Sequence, residues 1–231
     1  MYQFFVFDHL RGNGQKSFFG ITINRGACAT NRKEEEMEAE ANINFRKAFN
    51  TIINGFEGKY TNDKDDPGGE TYKGIARNMN GIFEGWRIID KYRGGNNFPN
   101  VLEADGTLQG LVMDFYKKNY WDKFMGDKLG EKTGLEMFDQ SVNLGTGRAV
   151  EHLQRSLNIL NNMQKLYPDI ETDGVMGNQT FETYISCCAK QGENLLVAVL
   201  NMFQGKYYIE LMEKKEVFEK FYGLFKRVLV N

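Results

Sequence analysis

One glutamate and the polar loop after it hold most of this chain's chemical potential. Phe56-Glu57-Gly58-Lys59-Tyr60 runs into Thr61-Asn62-Asp63-Lys64-Asp65-Asp66, then a Pro67-Gly68-Gly69 turn, then Thr71 and Tyr72. Glycoside hydrolysis needs a protonated carboxyl group at the leaving oxygen. Its inverting form also needs a second group holding water across the sugar, ~6.5–9.5 Å away. Glu57 suits the acid, because the flank of an apolar helix stripe disfavours its charged form. An ionised Asp66 and the Thr71 hydroxyl could orient the water, since a Pro-Gly-Gly turn can bring the chain back across the glutamate. Asp63 and Asp65 compete for that role. The acid run lacks the D-x-D-x-D-G spacing with a glutamate at position twelve, so calcium is the weaker reading.

Other chemistries are poorly supplied. His9 and His152 are the only histidines, which nearly excludes a histidine triad or a multi-histidine metal site. Cys28, Cys187 and Cys188 offer neither a disulfide framework nor C-x-x-C spacing, and read as free thiols of a reducing compartment. Hydrolysis here should rest on carboxylates, with no metal and no organic cofactor. The formal net charge of -2 supplies no global basic field for nucleic acid or an anionic membrane surface. No run approaches the ~18 apolar residues of a membrane span. The start, MYQFFVFDHLRG, places charged residues where a secretory signal would be apolar, so export is expected to need another route.

The elements that must position these groups are mostly helical. Phe45, Phe49, Ile52, Ile53 and Phe56 recur at helical spacing and set Glu57 beside their stripe. Further helical patterns include Ile82, Phe83, Trp86 and Ile89; then Leu108, Leu111, Val112, Phe115 and Tyr116. Leu135, Phe138 and Val142 follow, closed by Gly145 and Gly147, and then Ala149, Val150, Leu153, Leu157 and Leu160. A long apolar pattern occupies 195–228. Residues 1–24 differ: two aromatic and β-branched runs around a Gly/Asn turn read as a β-hairpin. An isolated hairpin is marginal in water, so it should dock on another sheet or pack on the main domain. Beyond it, only 72–76 suggests a strand. The expected organisation is a hairpin and charged linker over 1–42, a catalytic domain over 43–132 and a helical region over 133–231.

The stretch F-E-G-x-Y-x-N-D-x-x-D-P-G-G-x-T-x-K-G-I resembles the signature of the glycoside hydrolase family 108 N-acetylmuramidases, cell-wall lysozymes of phages and bacteria. The resemblance continues through Phe115-Tyr-Lys-Lys-Asn-Tyr-Trp-Asp122. Phe138-Asp-Gln-Ser-Val-Asn-Leu-Gly145 and Asp173-Gly-Val-Met-Gly177 with Thr180 look like the accompanying peptidoglycan-binding region. It covers roughly 43–228 and implies a lysozyme-like helical fold with Glu57 as catalytic acid. The Glu/Asp/Thr spacing is also similar to that of phage-type lysozymes, which supports Asp66 and Thr71. Lys59 stands where relatives carry a second glycine and Tyr72 where they often carry asparagine, and both departures bear on the groove. Substrate-side candidates are Tyr60, Asp63, Tyr72, Tyr120, Trp121 and Asn143, with aromatic faces for sugar stacking and Asn143 for an acetamido group.

The resemblance implies bacterial peptidoglycan as partner and substrate. A fused hairpin without an export signal suggests a phage protein of the virion or the host cytoplasm, with residues 1–24 available to a virion or other protein partner. The rival readings are a catalytically silent wall-binding or virion module and a bacterial secretion-accessory muramidase.

Overall fold

Four apolar side chains at helical spacing explain the first element. Phe45, Phe49, Ile52 and Ile53 are all buried on one face of helix α1 (43–56). Phe56 is the exception: it lies on the same stripe but is 37% exposed, at the end where the helix leaves the core. The computed structural model describes residues 43–63, 68–214 and 216–229, all within one compact unit. The hairpin expected over 1–24 and the linker after it lie outside the described residues.

The chain next forms a three-stranded antiparallel sheet of β1 (Tyr60–Asn62), β2 (Glu70–Tyr72) and β3 (Ile75–Ala76). Tyr60 pairs with Tyr72, and Tyr72 with Ile75. This corrects the reading of 72–76 as one strand, because Lys73 and Gly74 form a two-residue hairpin loop. Both have positive φ, 45° and 78°, the geometry whose twist matches the flanking strands.

The helices that follow are α2 (Gly85–Tyr92), α3 (Gly106–Asn119), α4 (Glu131–Leu144), α5 (Thr146–Leu160), α6 (Asn178–Gln191) and α7 (Glu193–Lys214). A 3₁₀-rich stretch, Glu216–Leu229, kinks at Phe221 and packs back on α7. The expectation of a mostly α protein holds. Within the helical patterns, Ile82 is the misfit: it is almost wholly exposed, while Phe83, Trp86 and Ile89 are buried.

The core joins α1 to α3 and α4. Phe45 packs against Trp121 and Phe138 at ring distances of 5.3 and 5.9 Å, and Phe49 meets Tyr116 at 6.0 Å. Each such side chain contributes ~1.5–3 kcal/mol by leaving water. α4 is the axle: α5 and α7 pack on it. The side-chain amide nitrogen of its buried Gln140 donates to the Leu200 carbonyl at 3.0 Å, and the amide oxygen accepts from His152 Nδ1 at 2.8 Å. Gly145, at φ 90°, ends α4 and turns the chain into α5, whereas Gly147 falls inside α5.

Candidate active site

Glu57 follows the last residue of α1, at the point where the chain bends toward β1. Its side chain is 20% exposed and lines a cleft of about 290 Å³ together with Asn54, Lys59, Lys73, Glu103 and Gln109. The Lys73-Gly74 loop makes the near wall. A methyl group on Gly74 would stand 2.9 Å from Glu57 Oε2 and 2.6 Å from the Tyr116 hydroxyl. Glycine is therefore required there twice, for its positive φ and for the close approach. The Tyr116 hydroxyl donates to the Lys73 carbonyl at 2.6 Å and fixes the loop to α3.

The other carboxylate oxygen is held from the far end of the chain. Arg227 Nη2 donates to Glu57 Oε1 at 2.8 Å, and Nη1 donates to Asp139 Oδ1 at 2.5 Å. Asp139 is buried on α4 and its second oxygen accepts from Gln204 at 2.6 Å. The guanidinium also lies 4.8 Å from the Phe56 ring centre, which explains why Phe56 turns away from the core. Burial alone would lower the pKa of Arg227, but the Asp139 and Glu57 carboxylates hold it above its usual value. Burial, reinforced by the Glu57 charge, raises the pKa values of Tyr116 and Tyr120.

Lys73 anchors that same near wall. Its buried ammonium donates to Asn54 at 2.9 Å and Gln109 at 2.8 Å, and pairs with Glu103 at 3.3 Å. The cleft thus sets Glu57 beside Asn54, Lys73, Glu103 and Gln109, which are tied to one another through the Lys73 ammonium.

Residues 49–145 match the family model described as Glycosyl hydrolase 108, and residues 148–228 match the Predicted Peptidoglycan domain. Residues 49–145 are thus similar to the glycosyl hydrolase 108 family. With the adjoining peptidoglycan segment, the chain's activity class is peptidoglycan hydrolysis. Among solved structures, that of Brucella abortus SagA aligns with 22% identity over 80% of this chain and 93% of that one, at a TM-score of 0.46. No curated protein matches the chain.

Within the glycosyl hydrolase 108 segment, the candidates read from sequence separate. Asp65 and Asp66 lie outside the described residues. Thr71 is half-buried on β2, and its hydroxyl donates to the Gly69 carbonyl at 3.3 Å. Asp63 is exposed just after β1. Tyr60 is half-buried, its hydroxyl donating to Glu70 at 2.9 Å and its ring edge-on to Phe98 at 4.8 Å. Tyr120 is half-buried and stacks on Tyr116 at 5.3 Å. Asn143 donates to the Tyr208 hydroxyl at 2.6 Å and so ties α4 to α7.

Two aromatic candidates need correction. Tyr72 is fully buried: its hydroxyl donates toward Glu103 and the Leu102 carbonyl and accepts from Gln109. Trp121 is 1% exposed, enclosed by Phe45, Phe124 and Phe138, with its indole N–H on Asp127. Neither face is open to a sugar. Both rings sit where the sheet or α3 turns into the core, so packing claimed them.

Sequence reading missed Arg227, Asp139, Lys73 and Gly74. The Lys73-Gly74 pair carried a signal, since a polar residue before glycine between β-prone residues marks a two-residue turn. Arg227 carried none, because nothing local connects it to a residue 170 positions away.

Proposed function

We propose that this chain is an N-acetylmuramidase that cuts the β-1,4 bond between N-acetylmuramic acid and N-acetylglucosamine, with Glu57 as proton donor. The observation that carries the reading is the division of labour between the two Glu57 oxygens. Oε1 is engaged by Arg227, and Oε2 lies beside Gly74 at the wall of the cleft. In the neutral acid, the carbonyl oxygen accepts from Arg227 while the hydroxyl donates to the glycosidic oxygen. The glycosidic C–O bond then breaks and water attacks the anomeric carbon from the other face, with inversion. Asp66 takes the water proton, with Thr71 helping to orient the water. Tyr60 and Tyr120 are the remaining aromatic candidates for a sugar face.

The setting we propose is a phage lysozyme, either carried in the virion or released as an endolysin, with residues 1–24 as the docking segment. Deleting residues 1–36 should leave soluble activity intact and abolish assembly. Digesting purified peptidoglycan and identifying the new reducing end tests the central claim. N-acetylmuramic acid at that end supports it, and N-acetylglucosamine there overturns the bond assignment.

A further inference from the structure

Arg148 and Arg155 lie two turns apart on α5, ~10.5 Å along the axis, and both face α7 across a cleft of about 420 Å³. Each guanidinium lies against an aromatic ring. The Arg148 carbon is 4.6 Å from the Tyr207 ring centre, and the Arg155 carbon is 4.6 Å from that of Phe203. Phe203 is itself braced by the buried His152 ring, stacked at 5.3 Å, whose Nδ1 is tied to Gln140. A guanidinium resting on a ring loses its freedom once, in folding, and keeps its edge of N–H donors for a planar acceptor.

The charges of the cleft are unbalanced. Arg155 has Glu151 at 3.4 Å and Lys206 has Glu210 at 3.6 Å. Arg148 and Lys214, also in the lining, have no carboxylate at ion-pair distance among the described residues. Four cations therefore face two carboxylates. A surface shaped only for solubility would intersperse its charges and let them move. This one holds two forks at a fixed spacing. At ~3.3 Å per residue, an extended peptide carries groups three residues apart over the same distance.

We propose that the α5–α7 cleft is a binding site for an acidic peptide, whose carboxylates, about three residues apart, dock on Arg148 and Arg155. Given the peptidoglycan-hydrolase reading on which this rests, the ligand is the stem peptide of the wall. The site then grips the peptide while Glu57 works on the glycan.

The probe is a synthetic tetrapeptide with two free carboxylates, titrated calorimetrically into the full chain beside a copy with both carboxylates amidated. The free peptide should bind and the amidated copy should bind at least about tenfold more weakly. Arg148→Gln with Arg155→Gln should lose about tenfold or more. Arg148→Lys with Arg155→Lys, which keeps the charge but not the fork, should fall most of the way with it. Equal binding of both peptides overturns the proposal, and that comparison needs no variant to fold.

On whole walls, the chain carrying Glu57→Gln should bind intact sacculi and lose binding when an amidase strips the stem peptides. Retention on stripped glycan, or loss only when teichoic acid phosphate is removed, overturns it. Wild-type cleavage without peptide binding defeats this site alone. Peptide binding without any cleavage defeats the catalytic reading alone.

Discussion

Glu57 and Glu70 stand on either side of the same loop, and the chain treats them in opposite ways. Glu70 is 9% exposed and saturated: Arg77 reaches Oε2 at 2.6 Å, Arg93 reaches Oε1 at 2.6 Å, and Tyr60 donates at 2.9 Å. Burial would raise its pKa, but these donors outweigh that and leave it below the usual glutamate value. Both arginines also share Asp90, which closes a cluster tying the sheet to α2. Glu57 has an arginine on one oxygen and a glycine beside the other. A carboxylate enclosed by donors holds structure together, whereas one with an oxygen left toward a cleft can exchange a proton with something that enters.

Glu57→Gln is the largest test of that contrast. Turnover on peptidoglycan should fall by at least ~10², with a melting temperature close to that of the wild type. A variant that keeps full activity would remove Glu57 from the chemistry. Arg227→Ala comes next. It leaves the buried Asp139 with Gln204 alone, so unfolding should become easier by ~3 kcal/mol. Turnover per folded molecule should drop about tenfold as Oε1 loses its anchor. Denaturant melts and active-site-normalised rates separate the two effects.

Glu70→Gln should cost about 2 kcal/mol, less than a sealed ion pair because both arginines reach solvent and keep Asp90. Its turnover per folded molecule should match the wild type. If instead turnover collapses while stability holds, the roles of the two glutamates are reversed. Gly74→Ala and Gly94→Ala both place alanine at positive φ, 78° and 84°. Gly94→Ala should lose ~1–2 kcal/mol, and Gly74→Ala more, because its methyl group also meets the Tyr116 hydroxyl. Only Gly74→Ala should also slow hydrolysis, since nothing lies within 4 Å of a methyl group at Gly94.

The smallest effect separates two acid windows. Burial, helped by the nearby Arg155 charge, pulls His152 down to about 4 from an ordinary 6.5. The unfolded chain therefore binds the proton first, so this contribution is complete above pH ~6.5 and is lost as pH falls toward 4. About 1 kcal/mol should go between pH 7 and 5.5. Glu70, also lowered, contributes above its unfolded value of 4.5 and loses that contribution only as pH drops below it. Melting curves against pH should show His152→Gln flattening the upper limb and Glu70→Gln the lower one.

Much of the architecture was legible in one dimension. The stripe from Phe45 to Ile53 announced α1, and the glutamate after it stands half-buried where that stripe ends. The turn at 173–177 was equally readable. Asp173 accepts from Gln154 and the Val175 N–H, and a methyl group on Gly174 would meet the Gly147 carbonyl at 2.7 Å. Aromatic residues were misleading, because a tyrosine at a strand end reads the same whether its ring faces sugar or core. Tyr72 and Trp121 went inward, where burying a large ring outweighs exposing it to a ligand.

What the order of residues determined by itself is the set of periodic elements and the position of an acid at a helix end, since both follow from local spacing and backbone preference. Which groups surround that acid was decided only by folding. Arg227, Asp139 and the Lys73-Gly74 loop reach it from three separate parts of the chain, and no local rule joins them. Their meeting is a property of packing, in which burying α4 against α7 and the C-terminal stretch brings two carboxylates to one guanidinium.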